Sequence, residues 1–289
     1  MKYDILFAGP GCLDDNVDYT GETVHSAGGA VWFSSFAARA AGASVYAAVV
    51  MNPADRMVSD AFKDIPKKII DGGETTHMRN VYHDATREKR DASVVSQSRG
   101  ICTEDLPDEE FGLCHLGGLL YGDFPEQFLT EAHEKFSLSA DMQGFLRHNE
   151  NGSLKYHDWK KKLEYLKYFK YLKVDANEAE IMTGFTDRKK AAWQLKDWGA
   201  GEVLLSYNEE MLVCDGKEFY TCPVKSRNLS GRTGRGDTVF GSYLARREHG
   251  HAAKDALLYA TALVSLKMET PGPFMGTDHD VNEYIKAFY

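Results

Sequence analysis

The chain has 289 residues, 43% hydrophobic and 27% charged, with 26 Gly and 8 Pro. That profile excludes disorder, collagen-like repeats and low complexity, and a chain this long buries roughly three quarters of its unfolded surface. Lys plus Arg total 34 against 43 Asp plus Glu, a formal charge of −9, which gives no general attraction for nucleic acid or an anionic membrane.

The least polar stretch, from Ala40 to Met51, is well short of the ~18 residues a membrane helix needs. The amino terminus lacks a basic segment followed by a long apolar one, so no secretory signal is expected. Five cysteines (Cys12, Cys102, Cys114, Cys214 and Cys222) form no C-x-x-C pair. They read as reduced thiols, and the expected compartment is the cytoplasm.

Strand and helix patterns then alternate. Residues 3–8 form a short apolar run closed by Gly9-Pro10-Gly11, a buried strand and its turn. Residues 30–41 predict a helix stopped by Gly42, and 44–50 a second strand. Helices are expected over 55–63, 124–135, 159–169, 177–182 and 188–198, with strands at 111–116, 136–142, 171–174 and 202–206. A hairpin (211–214 with 219–222) precedes two closing helices, 236–248 and 254–268. This alternation predicts parallel strands with crossover helices on both faces, an α/β sandwich. Residues 74–98 break the rhythm with a polar, period-two pattern that reads as antiparallel strands. With the segment near 17–24 they predict a small sheet standing off the main one as a lid. The whole chain, 1–289, reads as one domain, with the lid strands within 15–25 and 74–100.

The densest glycine cluster is Gly231-Arg-Thr-Gly-Arg-Gly-Asp-Thr238, ahead of a predicted helix. Glycines at a helix start let backbone amides converge on an anion, and the helix dipole adds positive character. The spacing satisfies the P-loop pattern except that Asp237 replaces its lysine, which excludes an ordinary P-loop. A carboxylate at the mouth of an anion hole can take a proton from an attacking hydroxyl, while the amides of Gly234, Arg235 and Gly236 hold charge building on the transferring group. That division of labour suits phosphoryl transfer onto an alcohol. An N-cap role fits Asp237 equally well on this segment alone.

These residues resemble a family. Thr233-Gly-Arg-Gly-Asp237, followed by Phe240-Gly241, is similar to the carboxy-terminal signature of the ribokinase (PfkB) carbohydrate kinases. Gly28-Gly29 with the following small-residue helix resembles the amino-terminal signature, Asn177-Glu-Ala-Glu180 the N-x-x-E motif, and Asp14 the substrate-binding aspartate. The resemblance covers essentially the whole chain. It implies a ribokinase-like three-layer α/β/α sandwich with a β lid, and an ATP-dependent kinase. Asp237 would be the catalytic base, and Gly234, Arg235 and Gly236 the anion hole. Asn177 and Glu180 would organise Mg2+ and phosphate, Glu180 reaching the metal indirectly; a capping box at that spacing is the alternative. Thr233 and Ser206 would stand on the nucleotide side, and Asp14, Gly28 and Gly29 would line the acceptor pocket. Relatives with an extended lid pair it between subunits, which implies a homodimer.

The departures are informative. Gly231 replaces an aspartate that in many relatives helps hold a monovalent cation, which puts cation activation in question here. Arg235 replaces a small residue in the anion hole and is expected to reach phosphate. Asp141-Met-Gln-Gly-Phe-Leu-Arg147 resembles a stretch of the inositol kinases, so Gln143 and Arg147, with Phe33 beneath, are candidate contacts to a polyol such as myo-inositol. Trp32 and Phe33 fit a plain core role as well. Arg79, Arg87, Lys89 and Arg90 are expected to be mostly a solvated strand face of the lid. The expected partner is thus a small sugar or polyol. A nucleoside acceptor, or a non-catalytic ligand-binding protein of the same fold, stands as the alternative.

Overall fold

A computed structural model describes residues 2–84 and 90–289. β1 (Lys2–Pro10) sets the frame. Ile5 and Phe7 face one apolar cluster with Phe36, Phe240, Leu244 and Leu263, whereas Leu6 and Ala8 face a second with Phe128, Leu129 and Leu195. A strand buried on both faces must be apolar at every position, which is why this run shows no alternation.

The strands that follow are β2 (Cys12–Val17), β3 (Thr23–Gly28), β4 (Val45–Met51), β5 (Lys67–Asp71), β6 (Thr76–Tyr82), β7 (Arg90–Ser96) and β8 (Glu110–Leu116). Next come β9 (Leu138–Asp141), β10 (Arg147–Glu150), β11 (Ser153–Tyr156), β12 (Phe169–Asp175), β13 (Glu202–Ser206), β14 (Glu210–Cys214) and β15 (Phe219–Pro223). The helices are α1 (Ala30–Ala40), α2 (Arg56–Ala61), α3 (Glu126–Lys135), α4 (Gln143–Leu146), α5 (Lys162–Tyr165) and α6 (Ala176–Thr183). They continue with α7 (Arg188–Asp197), α8 (Arg235–Glu248), α9 (Ala253–Lys267) and α10 (Asp278–Phe288).

Among the described residues the main sheet runs β15-β14-β13-β12-β9-β8-β1-β4-β5, parallel from β13 to β5 and antiparallel at the β13-β14-β15 edge. Helices α1, α8 and α9 cover one face, α3, α6 and α7 the other. This is the expected three-layer sandwich. The strand order turns around at β1, and sheets of this kind present their ligand crevice at the carboxyl ends of strands beside such a reversal.

The second sheet has the order β10-β11-β7-β6-β2-β3, with β2 and β6 parallel and its other pairs antiparallel. The chain passes from β1 into β2 through Gly11 alone, so the two sheets share one continuous ribbon. Both expected lid segments join this sheet, and β10 and β11 extend it beyond expectation. Their turn, Asn151 at φ 53° and Gly152 at φ 87°, is the Asn-Gly hairpin connection. Arg79 is exposed, as expected of a strand face; Arg87, Lys89 and the side chain of Arg90 lie outside the described residues.

The helix expected over 159–169 is shorter than anticipated. It contracts to α5 plus a 3-10 turn, Leu166–Tyr168, because Phe169 already opens β12 beside β9. Helix α10, absent from the sequence reading, starts at a Thr277–Asp280 capping box and seats Val281 and Tyr284 on the core. None of the five cysteines is in a disulfide. No helix among the described residues is long and apolar enough to cross a membrane.

Candidate active site

A cleft of about 830 Å3 opens between the carboxyl ends of the main strands and the inner face of the second sheet. Alternation along β2 and β6 turns Cys12, Asp14, Met78, Asn80 and Tyr82 towards it. The main sheet contributes Lys173, Asp175 and Ser206 from the ends of β12 and β13. Helix α8 closes the third side with its first turn.

That turn is built by a close approach. Gly234 caps α8 at φ 76°, and a Cβ there would lie 2.3 Å from the Phe33 ring, so no other residue fits without displacing Phe33. The amides that follow, Arg235, Gly236 and Asp237, have no partner one helical turn earlier and stand at the positive end of the helix. The Asp237 carboxyl lines the same cleft. Its pKa is pushed up to about 6, first by burial and then by the negative charge of Asp141, against the pull of Lys173, Lys267 and Arg147. A base tuned towards neutrality accepts a proton from an alcohol better than an ordinary aspartate does.

Behind Asp237 lies an ion cluster. Lys173 Nζ is 2.9 Å from Asp141 Oδ2 and 3.7 Å from Glu178 Oε2. Burial works against the Lys173 ammonium, but Asp141 and Glu178 outweigh it and hold the group charged. A Cβ on Gly236 would stand 3.0 Å from Lys173 Nζ, so the ammonium lies directly against the α8 turn. Beside the α8 turn, Arg232 and Arg235 both donate to Asn208 Oδ1, at 3.1 and 3.0 Å. Burial and the neighbouring Arg232 charge lower the pKa of Arg235.

The opposite wall is polar and mixed in sign. The Asp14 carboxylate rests over Gly28, where a Cβ would meet its Oδ2 at 2.0 Å. Gln143 Nε2 donates to Gly118 O at 3.3 Å. Arg147 lines the cleft while buried, and its Nε has no hydrogen-bond partner among the described residues. Phe33 forms an apolar floor; Trp32 instead donates from Nε1 to Ala61 O at 3.0 Å, away from the cleft lining.

Most expected site residues converge here: Asp14, Gly29, Phe33, Gln143, Arg147, Ser206, Thr233, Gly234, Arg235, Gly236 and Asp237 all line the cleft. Gly28, Asn177 and Glu180 do not: Gly28 lies against the Asp14 carboxylate, outside the lining, and Asn177 and Glu180 are exposed on α6. The reason is the helix start. Asp175 is the N-cap, accepting from Glu178 N at 2.8 Å while Glu178 Oε2 accepts from Asp175 N at 2.7 Å. The inward-facing pair with the same spacing is therefore Asp175 and Glu178, two residues earlier. Lys173 and Lys267 were also missed. A lysine inside the apolar run Tyr171-Leu-Lys-Val174 is itself a signal, since a buried strand carries a charge only where a partner waits.

The sequence profile of the pfkB family carbohydrate kinases matches residues 90–278. A solved structure described as a pyrophosphate-dependent kinase in the ribokinase family, complexed with a pyrophosphate analog and myo-inositol, superposes with a TM-score of 0.88 at 30% identity, over 98% of this chain and 100% of that one. A second, described as a pyrophosphate-dependent myo-inositol-1 kinase converted into a myo-inositol-3 kinase, gives 0.87 at 30% identity, covering 98% of each chain. A cytidine kinase of Thermococcus kodakarensis is 36% identical over 83 residues, 28% of this chain and 30% of that relative. The match thus spans less than a third of the cytidine kinase.

Proposed function

Since the chain belongs to the pfkB family of carbohydrate kinases, we propose that it phosphorylates a hydroxyl of a small polyol of the myo-inositol class, with inorganic pyrophosphate as the preferred donor. The observation that carries the reading is the Asp237 carboxyl, its pKa near 6, in the first turn of α8 and facing the Asp14–Gln143–Arg147 wall across one cleft. Asp237 takes the proton of the acceptor hydroxyl as the oxygen–phosphorus bond forms. The bridging P–O bond of the donor breaks, and orthophosphate leaves with the bridging electron pair. The amides of Arg235 and Gly236 hold the charge spread over the transferring group.

The wall offers a carboxylate acceptor and amide and guanidinium donors, which suits a neutral, many-hydroxyl acceptor lying on the Phe33 ring. Two guanidiniums gathered on one asparagine oxygen favour a compact, doubly charged leaving group, in line with the pyrophosphate-dependent relatives. Among the described residues no three His, Cys, Asp or Glu side chains form a metal cage. The cleft fits a Mg2+ that keeps water and phosphate oxygens as ligands, with Asp175, one of the carboxylates lining it, as the residue that would hold it; such an ion would supply charge neutralisation on the donor phosphates. We read the second sheet as a lid that excludes water during transfer.

The test is acceptor-dependent product release, with pyrophosphate and ATP offered separately against myo-inositol, ribose, cytidine and inosine. Orthophosphate released from pyrophosphate only when myo-inositol or a close polyol is present supports the reading. ADP released from ATP at a higher rate than that would replace the donor, cytidine as the preferred acceptor would replace the polyol, and silence with both donors would remove the kinase reading.

A further inference from the structure

Lys267 ends α9 with its side chain 1% exposed, among the largest fully buried groups in the protein. Its Nζ donates to Gly231 O at 2.5 Å and to Thr233 O, and lies 4.9 Å from the centroid of the Phe33 ring. Two carbonyls and one aromatic face account for the three N–H bonds of an ammonium. Among the described residues no carboxylate hydrogen-bonds to it; burial pulls its pKa down to about 8, and the charge of Asp237, acting without a hydrogen bond, works against that fall and favours the protonated form.

Such a surrounding is unusual for a lysine. A buried ammonium ordinarily meets a carboxylate, whereas main-chain carbonyl oxygens are the partners a hard metal cation takes. The carbonyls belong to the segment 231–233, which leads directly into the Gly234 cap and the Asp237 turn. The segment is pinned at the same place by Gly231 N, which donates to Met268 O at 2.7 Å. A Cβ at position 231 would lie 1.8 Å from Thr270 O. The end of α9 and the start of the α8 loop therefore form one unit around a single positive charge.

We propose that the Lys267 ammonium is a tethered monovalent cation that positions the 231–236 loop, so that neither folding nor phosphoryl transfer needs an added alkali ion. Lys267 is a positioning residue and touches neither substrate. The kinetic half of the proposal rests on the phosphotransferase reading; the cation-site half does not.

The experiment compares the wild-type chain with Lys267→Ala, measuring thermal unfolding and polyol phosphorylation in tetramethylammonium chloride, then at the same ionic strength in potassium or ethylammonium chloride. Wild type is expected to give the same melting temperature and rate in all three salts. Lys267→Ala leaves a space the size of a small cation; it is expected to melt lower and turn over ~10-fold slower or worse in tetramethylammonium, because a loop shift of even 1 Å misaligns the reacting groups. Potassium or ethylammonium is expected to raise both, as a ligand that binds only the folded state. A wild-type protein that melts higher or works faster specifically in potassium overturns the proposal, and that arm needs no variant. So does a Lys267→Ala protein indifferent to both cations. If the melting shifts appear and no phosphorylation occurs in any arm, the cation site stands and the kinase reading fails.

Discussion

Lys173 and Asp141 form an ion pair 2.9 Å apart, with side chains only 6% and 2% exposed, at the ends of two neighbouring parallel strands. Buried pairs of this kind contribute little net stability, since the Coulomb gain is offset by lost hydration. Breaking one is different. Lys173→Met leaves Asp141 and Glu178 without their cation and is expected to destabilise the protein by about 3–5 kcal/mol. Denaturant unfolding measures this. Adding Asp141→Leu to the same chain is expected to recover much of the loss without restoring turnover.

The Asp237 carboxyl gives the pH dependence a direction. Its pKa stands near 6 instead of the ordinary 3.8, set by burial and Asp141 against Lys173, Lys267 and Arg147. Transfer needs the ionised base, so kcat/KM is expected to rise tenfold per pH unit below about 6 and to level off above it. Stability runs the other way. A folded-state pKa above the unfolded value contributes stability that is full below about pH 4 and lost as the pH climbs through about 6. Rate and melting profiles between pH 4.5 and 8 read the two trends independently.

Gly234→Ala tests the contact that shapes the loop. The substitution forces a side chain onto backbone at φ 76° and against the Phe33 ring. Its expected cost is about 1–2 kcal/mol from the left-handed conformation alone, with turnover falling further than stability. Pairing it with Phe33→Ala is expected to relieve the steric part and leave the conformational part.

Two candidate pairs on α6 separate cleanly. Glu180→Ala and Asn177→Ala, both at exposed positions, are expected to change stability by less than about 0.5 kcal/mol and to leave turnover near that of wild type. Glu178→Gln, which disturbs the buried partner of Lys173 and Asp175, is expected to reduce both. A large loss of activity in Glu180→Ala would return the role to the residues first suggested by the motif.

That case shows where sequence reading succeeds and fails here. The sandwich was legible because buried parallel strands read as short unbroken apolar runs and helices as longer stretches between breakers, and residues 3–8, 30–41 and 202–206 lie within a residue or two of the observed elements. The α8 turn was legible because glycines and an aspartate before a helix have few other uses. The inward-facing pair at the start of α6 stands two residues before the pair the motif reading chose, because Asn177-Glu-Ala-Glu180 and Asp175-Ala-Asn-Glu178 share one spacing, and only the capping geometry tells which pair faces inward. Lys267 was invisible for a different reason. Its partners are main-chain carbonyls of residues 36 and 34 positions away, and a carbonyl leaves no trace in the sequence. The Asn151-Gly152 turn was present as a signal, but its flanking strands are short and polar, so nothing marked them as strands.

The most direct test is a single-turnover measurement of phosphoryl transfer from pyrophosphate to myo-inositol by wild type and Asp237→Asn, with donor binding followed in the same samples. Asp237 as the base predicts donor binding within a few-fold of wild type and transfer slower by ~10²-fold or more. Equal transfer rates in the two proteins would contradict it and leave Asp237 as a carboxylate in the first turn of α8, behind the Gly234 cap.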